Sequence, residues 1–139
     1  MTRYATTTDF ARLGLPATAT TGIATASFEA ALDAYAAVVD GHPQARGYVL
    51  PLTAWGDDLR RCNCQGAAWD ILRVRGYDPN AGGDEAVRLG HEDAMKWLRD
   101  VAAGRVTPSG VVDSTPSEDE ATEQTSCVTN TRRNWTRGR

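Results

Sequence analysis

The sequence is poor in bulky apolar residues. Leu, Ile, Val and Phe together number 23 of 139, while Ala alone supplies 21. That is below the ~20% of branched aliphatics and Phe at which a chain normally builds a full core by itself. Net charge is only −3, so the composition is not that of a disordered chain either. The combination predicts a single helical domain with a thin, Ala-rich core that gains further burial from partners or self-assembly. Other absences exclude whole classes of function. No apolar run nears the ~18 residues of a membrane span, and no basic-then-apolar leader opens the sequence. With 15 basic against 18 acidic residues and a pI near 5.3, general nucleic-acid binding is disfavoured. Three cysteines form no disulfide framework and fit a reducing cytosol.

What is present reads as helix. Apolar spacing up to residue 106 predicts four helices. The first covers Thr7 to Leu13, with Thr7 or Thr8 as N-cap and Gly14 and Pro16 as the stop. The second runs from about Ser27 to Asp40, with a stripe of Phe28, Leu32, Tyr35 and Val39, and Gly41-His42-Pro43 breaks it. Tyr48-Val49-Leu50-Pro51-Leu52 reads as extended. The third helix runs from about Asp57 to Arg75, opened by two acids that suit its N-terminus. The fourth runs from about Glu85 to Ala103, capped by Asp84 and closed by Gly104. The fold class is therefore all-α, a small bundle of about four helices with an extended C-terminal arm. The domain plan is 1–106 for the body and 107–139 for the arm.

No motif supports catalysis or a metal, so the chain reads as a non-enzyme without cofactor or metal. Cys62 and Cys64 are two apart on a helix and point about 200° away from each other, so they cannot clasp one ion. Cys62 is read as packed and Cys64 as lying at a contact or on the surface. His91-Glu92-Asp93 lacks the second histidine of H-E-x-x-H, since position 95 is Met. Gly82-Gly83-Asp84 lacks a phosphate-loop pattern, and Asp84 would repel an anion.

The arm is more specific. Glu118-Asp119-Glu120 makes its middle acidic, and Arg132, Arg133, Arg137 and Arg139 flank Trp135 in its last nine residues. Trp and Arg are the residue types that anchor interfaces, so these five are the candidate partner-binding residues. Protein docking, base stacking with phosphate contacts, and an idle end are the three readings of such a segment. The nearby acidic run weighs against DNA. Tyr48, Leu50, Leu52 and Trp55 are candidates for a subunit interface.

In sequence order, several pieces resemble the Mu-like phage head–tail joining, or neck, proteins. They are Tyr4-Ala5-Thr6 with Asp9-Phe10, then Arg46-Gly47-Tyr48-Val49-Leu50-Pro51-Leu52, and Leu59-Arg60-Arg61 leading to Asp70-Ile71-Leu72. Glu92-Asp93-Ala94-Met95-Lys96-Trp97-Leu98, Ala103-Gly104-Arg105-Val106 and the terminal Arg-Trp-Thr-Arg-Gly complete the set. The sequence departs from that pattern at Pro43 and in the polar stretch 111–128. The resemblance implies a structural adaptor in the virion neck, assembled in the host cytoplasm. Its implied partners are the portal protein, further copies of itself in a ring that is commonly twelve-fold, and a downstream neck or tail protein. Packaged DNA would pass through a mildly acidic lumen with non-specific contact at most. A tail-completion (terminator) protein is the nearest alternative. A small nucleic-acid-binding regulator acting through the basic terminus is a more distant one.

Overall fold

A computed structural model describes residues 3–113. Four helices follow one another: α1 (Thr7–Leu13), α2 (Thr25–Arg46), α3 (Asp57–Arg75) and α4 (Gly82–Ala102), with one 3₁₀ turn, Ala17–Ala19, between the first two. The described residues contain no strand, only an isolated antiparallel bridge between Ala54 and Val112. The fold is an all-α bundle. In it α3 is the central element, packed against α1, α2 and α4, and α2 also meets α4 directly.

Local chemistry explains each boundary. The N-cap of α1 is Thr6, ahead of the expected Thr7 or Thr8. Its hydroxyl oxygen accepts from the Asp9 N–H at 3.2 Å while the Asp9 carboxylate accepts from the Thr6 N–H at 2.9 Å, a reciprocal capping box. Helix α2 begins at Thr25 rather than Ser27, with Ala24 at the cap and no side-chain capping bond.

The larger difference lies at the other end of α2, where Pro43 does not break the helix. It occupies the last turn and is buried, so the one N–H it lacks is offset by burial of its ring. Gly47, at φ +106°, then closes the helix: its N–H bonds to the Gln44 carbonyl at 3.0 Å and that of Tyr48 to the Pro43 carbonyl at 3.1 Å. This paired closure satisfies carbonyls that would otherwise be orphaned, and it requires the left-handed backbone that glycine supplies.

Helix α3 has the expected limits. Helix α4 starts at Gly82, before the expected Glu85, and ends at Ala102. Asp84 is therefore not its cap but sits in its first turn. There it accepts from the Asp78 N–H at 3.0 Å and from Arg75 at 2.7 Å, which ties the α3–α4 turn to both helices.

The core has two parts. One joins Tyr35, Ala36 and Val39 of α2, Leu59 and Cys62 of α3, Ala94 and Leu98 of α4, and Tyr4 and Leu52. The other gathers Phe10 and Leu15 with Leu32, Cys64, Ala67, Ala68 and Ile71. Small residues let the helices approach closely. At Gly66 a Cβ would lie 1.9–2.2 Å from the Tyr35 ring, so only glycine fits at this α2–α3 contact.

Residues beyond 106 continue against the body as far as they are described. Pro108 is buried, the Ser109 N–H donates to Asp58 Oδ2 at 2.6 Å, and Val112 pairs with Ala54. Residues 114–139, with most of the expected arm, lie outside the described residues.

Candidate functional site

The four residues expected at a subunit interface converge on one end of the bundle. Leu52 is buried there, and Tyr48, Leu50 and Trp55 are half-buried against the same cluster, beside Val111. Trp55 Nε1 donates to the Tyr4 carbonyl at 2.9 Å, and the two rings meet edge-on with centroids 5.0 Å apart. The Tyr4 hydroxyl donates to Asp40. Burial, then the hydrogen bond and charge of Asp40, hold the Tyr4 hydroxyl well above the usual phenol range. Part of this set thus completes the body's own core, and Val49, 42% exposed, is the large apolar side chain the segment presents to solvent. The other expected site residues, Arg132, Arg133, Trp135, Arg137 and Arg139, lie outside the described residues, as does Cys127.

The outward side of α2 carries none of the residues singled out for a subunit interface. Ala26, Ala30, Ala34, Ala37, Val38, Gly41 and Ala45 are all exposed and lie on one side of this 22-residue helix without a charged side chain among them. Surface helices ordinarily carry charge on that side. The nearest acids, Glu29 and Asp33, stand along the edge and are held by Arg3, 2.9 Å from Asp33.

Toward the start of α2 this side opens into a groove of about 460 Å³ between α2 and the end of α3. Ile23, Ala30, Ala31 and Ala34 face Ile71 and Val74 across it, and Asp70 and Arg75 stand at its wall. Val74 is 89% exposed, the most exposed large apolar side chain among the described residues. The signal for it was present in the sequence as an apolar residue between Arg73 and Arg75, outside the helix stripe.

A second groove, about 520 Å³ between α3 and α4, has charged walls, with Asp57, Asp58, Arg61 and Asp93 beside Trp97. Asp58 is engaged there by the N–H groups of Leu59 and Ser109, and Asp57 by Arg60 at 2.5 Å.

The residues that might have carried chemistry are built into the packing. Cys62 and Cys64 are both buried, one in each part of the core, so Cys64 is not at the surface. Burial pushes both thiols up to about 12, which keeps them protonated and unreactive at neutral pH. His91 stacks on Trp69, centroids 5.7 Å apart and 18° between planes, and meets Tyr35 edge-on at 5.9 Å. Burial lowers its pKa and so favours the neutral ring. Among the described residues no three His, Cys, Asp or Glu converge on a point that could hold a metal, and no helix is long and apolar enough to cross a membrane.

Comparison with known families bears on what such a bundle is for. The family model described as Bacteriophage Mu, Gp36 matches residues 3–127. The chain belongs to the Bacteriophage Mu Gp36 family. No curated protein matches it. Membership makes it a phage protein, and the Gp36 match takes in the whole described bundle and continues past it into the polar stretch. Pieces that carried the sequence resemblance have structural duties in this member of the Gp36 family. Tyr4, Ala5 and Phe10 are buried, Thr6 and Asp9 cap α1, and Gly47 and Tyr48 close α2.

Proposed function

We propose that this Gp36-family protein is a head–tail connector. Its bodies join into a ring below the portal, its C-terminal arm docks on the portal through Trp135 and the flanking Arg132, Arg133, Arg137 and Arg139, and DNA passes through the lumen. Its role is structural rather than catalytic. The observation that carries the reading is the family match across residues 3–127.

The surface supports it in a specific way. The C-terminal half of α2 exposes Ala37, Val38, Gly41 and Ala45, a group of short side chains with no charge to desolvate. Both properties lower the cost of bringing a second surface into contact. The small side chains also allow a neighbouring helix backbone to come within about 8 Å. A ring requires a head-to-tail contact that closes, and one copy's α2 patch against a different face of the next copy is such a contact.

The test is reconstitution. Purified protein is mixed with portal, or with tail tubes, and the mass of each assembly is measured. Attachment to the portal, lost on deletion of residues 130–139, is the expected result. Undiminished portal binding by that deletion defeats the docking assignment, and attachment to tail tubes alone favours the tail-completion alternative.

A further inference from the structure

The groove at the start of α2 has the wrong chemistry for a surface that meets only water. Its floor is Ile23, Ala30, Ala31, Ala34 and Ile71, and Val74 stands at its rim almost fully exposed. Asp70 sits in its wall and makes no hydrogen bond or ion pair with any described residue. Burial raises the pKa of this carboxyl, and the nearby Arg73 guanidinium only partly opposes the shift. Arg75, the cation at the wall, is already engaged by Asp84 at 2.7 Å. An occupant suited to this groove therefore brings one bulky apolar group and a cation beside it.

The chain carries such a segment itself. Thr131-Arg132-Arg133-Asn134-Trp135-Thr136-Arg137 places one Trp between arginines with no acid among them. The charge balance agrees: residues 3–113 hold 14 acidic and 11 basic side chains, whereas residues 129–139 hold four Arg and no acid.

Reach agrees as well. Asp113 lies beside Val49, near the start of α3, and the groove lies near the end of the same helix. At 1.5 Å per residue, Asp57 to Asp70–Val74 spans about 20–25 Å. Seventeen residues separate Asp113 from Thr131. Fully extended, that many residues reach about 55–60 Å, more than the span required. A segment of the same chain within reach binds without a second molecule, which favours it over one arriving from solution.

We infer that, in the free protein, the Arg–Trp–Arg segment around Trp135 lies in the α2–α3 groove of its own body, with the indole over Ile71 and Val74 and an arginine at Asp70. Stored there, the segment is covered until a competing partner draws it out, and its withdrawal uncovers the groove. The inference goes beyond the connector reading and stands without it, since the groove's binding is measured with no portal present.

The experiment uses the full chain with Trp135→Ala, which vacates the groove, and a fluorescein-labelled peptide of residues 129–139 as probe, followed by polarisation. Saturable binding is expected. Adding Val74→Glu should weaken it at least tenfold, and adding Asp70→Asn several-fold. Because Val74 is so exposed, its replacement leaves the fold intact, and an unchanged melting temperature verifies this. The wild-type chain, whose own segment fills the groove, should bind the peptide at least tenfold more weakly than the Trp135→Ala chain. Absence of binding, or equal binding by the Val74→Glu chain, overturns the assignment of the groove. Equal binding by the wild-type and Trp135→Ala chains overturns its occupation by the chain's own segment. A wild-type oligomer that dissolves on Trp135→Ala does so too, because the segment then belongs to a neighbouring copy.

Discussion

Helices α2 and α3 are of similar length, 22 and 19 residues, yet they are used in opposite ways. Nine residues of α3 are buried against five of α2. The middle of α3 is nearly all small: Cys62, Asn63, Cys64, Gly66, Ala67 and Ala68 surround it with neighbours on three sides. Helix α2 spends its bulk on the inward stripe and leaves Ala, Val and Gly facing out. A chain with few large apolar residues can thus still close a bundle, by threading a narrow helix through the middle so that short side chains suffice. The outward side of α2 is left with Ala30, Ala34, Ala37 and Val38 facing solvent, and Val74 at the end of α3 is exposed beside it.

The comparison breaks most sharply at the contact between the two helices. Replacing Leu32, fully buried in α2, by Ala should cost about 3 kcal/mol, through lost burial and an incompletely collapsed cavity, read by denaturant unfolding. Gly66→Ala drives a methyl into the Tyr35 ring and should cost about 2–3 kcal/mol, though it adds an intrinsically better helix former. If it proves neutral, the close approach of α2 and α3 is not as described.

Asn63 sharpens the picture in the other direction. It is fully buried, and neither its amide nitrogen nor its oxygen finds a partner among the described residues. Asn63→Leu, of similar size without the polar atoms, should stabilise the protein by about 1–2 kcal/mol. A loss of stability would mean that the amide has a partner not seen here.

On the outer side of α2 the expectation reverses. Ala37→Glu should shift stability by no more than about 0.5 kcal/mol, because that position is exposed, yet it should impair assembly in a portal-mixing assay.

The smallest effect is a pH dependence. Hydrogen bonds from Arg88 and Tyr77 hold Glu85 down at about 2, and Asp9 and Asp84 are lowered by hydrogen bonds from the Thr6 and Asp78 N–H groups. Groups lowered on folding contribute stability that is complete above their unfolded pKa and lost as pH falls through the folded one. The urea midpoint should therefore slide downward between about pH 4.5 and 2, and Glu85→Gln should flatten part of that slope. Asp70, raised by burial, acts with the opposite sign.

Much of the fold was legible in the sequence because helix periodicity and end signals are local. The limits of α1 and α3, and the buried stripe of Leu32, Tyr35 and Val39, follow from spacing and caps alone. Pro43 was misleading because its cost depends on where in the helix it falls and what buries its ring, and both are tertiary facts. The early start of α4 at Gly82 was hidden because Asp84 has the composition of a cap but is engaged by Arg75 and Asp78. The candidate site was less legible. Tyr48, Leu50, Leu52 and Trp55 stand out in the sequence as apolar residues outside a helix, and nothing local shows that Tyr4 and Val111 return to meet them. The α2 groove was illegible for the converse reason. An alanine reads alike whether it faces a neighbour or solvent, and only the packing of α3 reveals that Ala30 and Ala34 are uncovered.

The claim on which the account turns is that this bundle closes by itself and keeps α2's outer side and the Trp135 segment for assembly. Native mass spectrometry of the full chain with purified portal, run beside the Ala37→Glu chain, addresses it directly. The account predicts a portal complex carrying a closed ring of copies, and loss of that ring with Ala37→Glu while the chain stays folded. A full ring formed equally well by the Ala37→Glu chain, or no mass added to the portal by the wild-type chain, would contradict it.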